Sequence, residues 1–206
     1  MKNFARQNPR RWAGWYLLCF AVVLGATGAT WFEAKYSQPP LQKFKQLPDF
    51  ELTDSFGKTL GLADLKGKIW LADFIYTTCP SSCPMLSSRL SALQGEALKD
   101  DAVRFVSVSV NPTHDTPQVL RQYAERFHAE PGKWIFLTGG QMKVSALVNG
   151  GFLLGTGTSL SATGEMIHST KLVLVDKNGV IRAYYDGTTG DETQHILRDI
   201  GRLVRE

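Results

Sequence analysis

Apolar and polar positions change period several times along this chain, and each change predicts a new element. Ile69 to Tyr76 is a nearly unbroken apolar run, the pattern of a strand covered on both faces. Val103 to Val110 is a second, β-branched run, and Ile135 to Leu137 a short third. A helix is predicted after the first run, to about Leu98, with Pro80 and Pro84 both early, where a missing N–H has no partner to lose. Asp115-Thr116-Pro117 caps and opens another helix that continues to about Phe127, and Gln141 to Val148 forms a short one. Asp49 to Leu60 alternates and turns at Asp54 to Gly57, which reads as a hairpin. Leu172–Val175 and Val180–Tyr185 flank Asp176-Lys177-Asn178-Gly179, a second hairpin signal. An amphipathic helix from about Asp191 to Val204 ends the chain, and Gly150 to Gly164, rich in Gly, Ser and Thr, reads as a loop. Strand, helix, strand, helix, strand, hairpin, helix is the order of an α/β domain with a mixed sheet and flanking helices.

Charge adds a second feature. Lys2, Arg6, Arg10 and Arg11 are the only charged residues before Glu33. Without those four, 19 basic residues face 19 acidic ones, so the pI of 9.0 comes from the N-terminal tip. That distribution offers no nucleic-acid-binding face. Trp12 to Phe32 is uncharged over 21 positions, enough to cross a hydrocarbon core of roughly 30 Å. Trp12, Trp15, Tyr16, Trp31 and Phe32 sit near its ends, as interfacial aromatics do. The expected organisation is a cytoplasmic basic tip at 1–11, a transmembrane helix at 12–32, a tether at 33–45 and a folded domain at 46–206. The domain lies outside the membrane, in the periplasm of a bacterium. A cleaved signal peptide is the competing reading of the tract.

Cys19 lies inside this tract, which leaves Cys79 and Cys83 as the cysteines of the body. They stand in Thr78-Cys79-Pro80-Ser81-Ser82-Cys83-Pro84, directly after the first apolar run. At i and i+4 on the first turn of a helix, both sulfurs point to one side with Cα atoms about 6 Å apart. A cysteine pair opening the first long helix is the thioredoxin-like arrangement. Such a pair either cycles between dithiol and disulfide or grips a soft metal. A purely stabilising bridge fits poorly, since so short a loop adds little entropy. Thiol oxidoreductases of this type hold a proline before the strand that faces the cysteines. Here the last proline is Pro131, and Met166-Ile167-His168-Ser169-Thr170 precedes Leu172–Val175. Two thiolates and an imidazole form a soft three-ligand set. Structural zinc and iron–sulfur clusters call for four protein ligands, whereas copper accepts three. The helix N-terminus favours the thiolate.

These motifs, with Ser109-Val110-Asn111-Pro112-Thr113-His114-Asp115-Thr116-Pro117 and His168 ahead of a strand ending in Asp176-Lys177-Asn178-Gly179, resemble the Sco/SenC family. The resemblance covers roughly residues 45 to 205. It implies a membrane-anchored, thioredoxin-like copper protein that helps to assemble the CuA centre of cytochrome c oxidase. It also implies Cys79, Cys83 and His168 as copper ligands, with Cys79 and Cys83 as a redox pair. The implied partners are the copper-bearing oxidase subunit and other copper carriers. The chain departs from the family at Asn111 and Ile167, where the family often carries Asp, and so has less negative charge near the site. The alternative function is a periplasmic thiol–disulfide oxidoreductase, with Cys79 attacking and Cys83 resolving.

The remaining candidates have ordinary readings. His114 is expected to be solvated, His128 to compensate a helix C-terminus, and His195 to be exposed. Met85 and Met166 could offer thioethers but more often such residues fill core gaps. Asp73 interrupts the first apolar run and leaves two readings open: a buried proton acceptor beside the thiols, or an edge residue facing water.

Overall fold

The computed structural model describes residues 39–154, 169–190 and 192–206. One compact unit runs from Leu41 to Glu206, taking in residues 41–45 that the sequence assigns to the tether. The proposed membrane tract 12–32 and Cys19 lie outside the described residues. Among those described, no helix is long and apolar enough to cross a membrane.

Among the described residues, eight strands form one mixed sheet. They are β1 (Lys45–Gln46), β2 (Glu51–Asp54), β3 (Thr59–Gly61), β4 (Ile69–Ile75), β5 (Val103–Ser109), β6 (Trp134–Thr138), β7 (Lys171–Val175) and β8 (Val180–Asp186). Their order across the sheet is β1-β8-β7-β4-β5-β6-β2-β3. β4, β5 and β6 run parallel, and the two expected hairpins flank them antiparallel. This places β4 between β7 and β5, which explains its apolar run: every residue from Ile69 to Ile75 is buried.

The α-helices among the described residues are α1 (Ser82–Ala97), α2 (Pro117–Arg126), α3 (Gln141–Ser145) and α4 (Glu192–Arg205). Successive crossovers β4-α1-β5 and β5-α2-β6 step the same way, and one hand of crossover puts α1 and α2 on one face. Ser87 of α1 and Tyr123 of α2 meet there in a buried hydrogen bond of 3.0 Å. α4 packs on α1, β4 and β8. Leu86 and Leu90 of α1 and Leu120 of α2 are fully buried, and Ile196 and Ile200 of α4 nearly so. On the opposite face Phe152 packs edge-on against Trp70 and Phe74, with ring centres 5.8 and 4.9 Å apart. The short helix expected over Gln141 to Val148 divides in two. α3 stops at Ser145 and a wider π-turn continues over Ala146–Gly151. That turn absorbs Gly150 and Gly151, read as loop, and Gly151 is buried close to Pro48 and Leu147.

Candidate metal centre

The dithiol sits where β4 ends and α1 begins, at the carboxyl end of a central parallel strand, the usual place for a site in such sheets. The structure corrects the sequence reading on one point: the two cysteines are not both on the first turn of a helix. Cys79 and Pro80 precede the N-cap Ser81, and Cys83 is the second helical residue. The physical reason is Pro80, whose ring disfavours helical backbone at the residue before it. Cys79 instead closes a turn, its N–H donating to the Tyr76 carbonyl at 3.1 Å. The sulfurs still meet the same helix end, because the Cys83 backbone N–H donates to Cys79 Sγ at 3.4 Å. Ser82 Oγ lies 3.6 Å from the same sulfur. Both cysteines are free thiols and both are buried.

Their surroundings set them apart. Burial raises the Cys79 thiol, but the N–H groups of Cys83 and Ser81 and the side chains of Cys83 and Ser82 outweigh it, so the net shift is downward. Cys83 moves the other way. Burial pushes it well up, and the charges of Cys79 and Asp73 add to the rise despite the Tyr76 backbone contact. Because the thiolate is the nucleophile, iodoacetamide at pH 7 should label Cys79 at least about tenfold faster than Cys83. Proteolysis and mass spectrometry after short exposures would read this, and equal labelling would refute the asymmetry.

The loop carrying Cys79 is latched from beneath. The fully buried Asp115 carboxylate accepts from the Thr77 N–H at 3.1 Å, Thr77 Oγ1 at 2.5 Å and Ser109 Oγ at 2.5 Å. Sequence reasoning treated the Asp-Thr-Pro stretch as a helix start and missed this role for Asp115. Thr116 is the N-cap there, accepting from the Val119 N–H at 3.3 Å. His114 Nδ1 approaches Asp115 Oδ1 at 3.0 Å while half of its side chain stays in water, as a solvated histidine should.

Asp73 is decided by burial: the edge reading is wrong. Its carboxylate is fully buried because β4 is central and Ser107 of β5 lies directly opposite. Ser107 Oγ donates to Asp73 Oδ1 at 2.5 Å, and Trp134 Nε1 donates to Ser107 Oγ at 2.8 Å. Asp73 Oδ2 has no hydrogen-bond partner among the described residues. Burial raises the carboxyl to about 7, against the lowering effect of Ser107.

His168, Met166 and Ile167 lie outside the described residues. Among those described, no three His, Cys, Asp or Glu side chains converge on a point. Two sulfurs of opposite tendency lie together at a helix N-terminus, and sulfur of this kind suits a soft ion. Met85, near Cys83, is partly exposed at 38 %. His195 is exposed, 3.6 Å from Glu192, and His128 sits just past α2 with a left-handed φ of 52°.

Known proteins share this fold. A SCO1/SenC family lipoprotein from Bacillus anthracis str. Ames is 32% identical with a TM-score of 0.72, over 81% of this chain and 98% of that one. BsSco is described as a member of the Sco family of cytochrome c oxidase assembly proteins with a disulfide switch. It is 28% identical with a TM-score of 0.70, over 82% and 98%. ScoI of Bradyrhizobium japonicum, solved with copper bound, is 25% identical with a TM-score of 0.65, over 77% and 99%. The mixed sheet and flanking helices are thus the thioredoxin-like fold of the Sco proteins. The family model SCO1/SenC matches residues 38–205, and the chain belongs to that family.

Proposed function

We propose that the protein is a membrane-tethered copper-binding protein that delivers copper to the CuA centre of cytochrome c oxidase. The observation that carries this reading is the dithiol itself: two free, buried thiols at a helix N-terminus, one favoured as thiolate and one held as thiol. The copper seen in a Sco relative and the oxidase-assembly role ascribed to BsSco support it. Copper is the cargo. Cys79 and Cys83 offer two soft sulfur donors and His168 the imidazole. Cys79 precedes the helix that carries Cys83, and it is the ligand first replaced by a partner's thiolate. Oxidation of the pair removes both sulfur donors, so loading depends on the redox state. The anchor at 12–32 places this domain on the periplasmic side of a bacterial cytoplasmic membrane. The copper-bearing oxidase subunit and other copper carriers are then within its reach.

The asymmetry of the thiols also favours a second reading, a thiol–disulfide oxidoreductase that reduces partner cysteines. A low attacker and a high, buried resolver suit that chemistry. One experiment separates the two. The reduced full chain in detergent is titrated with Cu(I) against a chromophoric chelator, beside His168→Ala. One-to-one binding that weakens about a hundredfold, or about 2.7 kcal/mol, without His168 supports the copper site. Equal, weak binding by both proteins would overturn it and put the reductase reading ahead.

A further inference from the structure

Arg89 has an unusual set of partners for a charged residue. It lies mid-way along α1 and is only partly exposed. Its Nη1 donates to the carbonyls of Gly187 at 2.5 Å and Thr189 at 2.7 Å, and its Nη2 to Thr188 at 2.6 Å. One guanidinium thus collects three successive carbonyls of the loop between β8 and α4. A planar fork of donors can do this, whereas the single ammonium of a lysine cannot hold the same geometry.

That loop is joined on its other side to the start of β7. The Gly187 N–H donates to the Thr170 carbonyl at 2.9 Å. Asp186 accepts from Thr188 N–H at 2.9 Å and from Lys171 Nζ at 3.3 Å. Gly187 is also wedged. A Cβ added there would overlap Leu86 Cδ2 and lie 2.7 Å from the Thr170 oxygen. Leu86 is fully buried on α1, three residues after Cys83. The loop therefore touches the cysteine helix one turn beyond Cys83 and, through the same glycine, the chain two residues after His168.

We propose that Arg89 is a positioning residue for the metal centre, fixing the separation between the helix that bears Cys83 and the strand entry that follows His168. The inference rests on the copper reading given above. The ion needs ligands from two distant stretches of chain at one distance, and the Arg89–Gly187 clamp joins the helix of Cys83 to the residue two positions after His168. Groups that orient ligands without touching the metal commonly change affinity 10- to 100-fold.

The test uses the full chain in detergent with Arg89→Gln, Arg89→Lys and Gly187→Ala. Three readouts are taken: amide exchange of Gly187 in the metal-free protein, Cu(I) affinity by chelator competition, and the electron paramagnetic resonance spectrum of the Cu(II) form. Arg89→Gln should speed Gly187 exchange about tenfold, weaken Cu(I) binding about tenfold and shift the Cu(II) hyperfine splitting. Arg89→Lys should fall between Gln and the natural residue. Gly187→Ala, which pushes Thr170 away from Leu86, should shift the same spectrum. Unchanged Gly187 exchange in Arg89→Gln overturns the inference, with or without copper binding. So does an affinity loss that only tracks the melting temperature and leaves the spectrum unmoved. Failure of the copper reading shows differently, as a His168→Ala protein that binds copper like the parent.

Discussion

Cys83→Ser should lower Cu(I) affinity of the reduced protein by about a thousandfold or more, near 4 kcal/mol, and Cys79→Ser should do the same. The two losses are expected to match in size but differ in origin. The Cys83 and Ser81 N–H groups favour the Cys79 thiolate, so removing it deletes the donor that loses its proton more readily. Cys83 is fully buried and held as a thiol, so it enters the site only by giving up a proton that burial favours keeping. Metal binding therefore releases a proton from Cys83 in the parent and not in Cys83→Ser. In the parent the affinity should rise steeply with pH. In Cys83→Ser the remaining dependence should be shallower by close to one proton. Chelator competition at several pH values measures both. A Cys83→Ser protein that keeps the parent's affinity would remove the two-sulfur site altogether.

The junction that carries this chemistry was legible in the sequence for concrete reasons. Ile69 to Ile75 is apolar at nearly every position, which required a strand covered on both faces, and Pro80 and Pro84 marked the start of the next helix. What could not be read locally was set by distant chain. Asp73 was undecided because alternation within one strand does not say whether that strand is central. β4 becomes central only when β7 pairs with it about a hundred residues later. The offset of Cys79 from the helix was readable in principle, from the effect of Pro80 on the residue before it, but the i, i+4 spacing suggested a helical turn instead. Arg89 carried no signal of its role, since its partners are backbone carbonyls, and any residue supplies those. Asp115 looked like part of a cap until the fold brought Thr77 and Ser109 to it.

Asp73→Asn should stabilise the reduced, metal-free protein at pH 8 by roughly 2 to 4 kcal/mol, and by little at pH 4. The carboxyl is raised from 3.8 to about 7 by full burial, with one oxygen lacking a partner among the described residues. Between those two values the folded chain holds a proton that the unfolded chain has released. The contribution of Asp73 to the parent's stability therefore falls as pH rises from about 4 to about 7 and stays low above it. Asparagine has no proton to lose, keeps an oxygen for the Ser107 hydroxyl and removes the buried charge. Other carboxylates titrate alike in both proteins and cancel in the difference. Urea denaturation at pH 4 and pH 8 reads the two gains. Equal gains at both pH values, or a loss at pH 8, would show that Asp73 is not strained by its charge. A large gain at pH 8 would leave a destabilising carboxylate facing the Cys83 helix. Its charge also helps to hold the Cys83 thiol up, after burial and Cys79. Asp73→Asn should accordingly make Cys83 easier to deprotonate, and its alkylation above pH 8 should quicken relative to the parent.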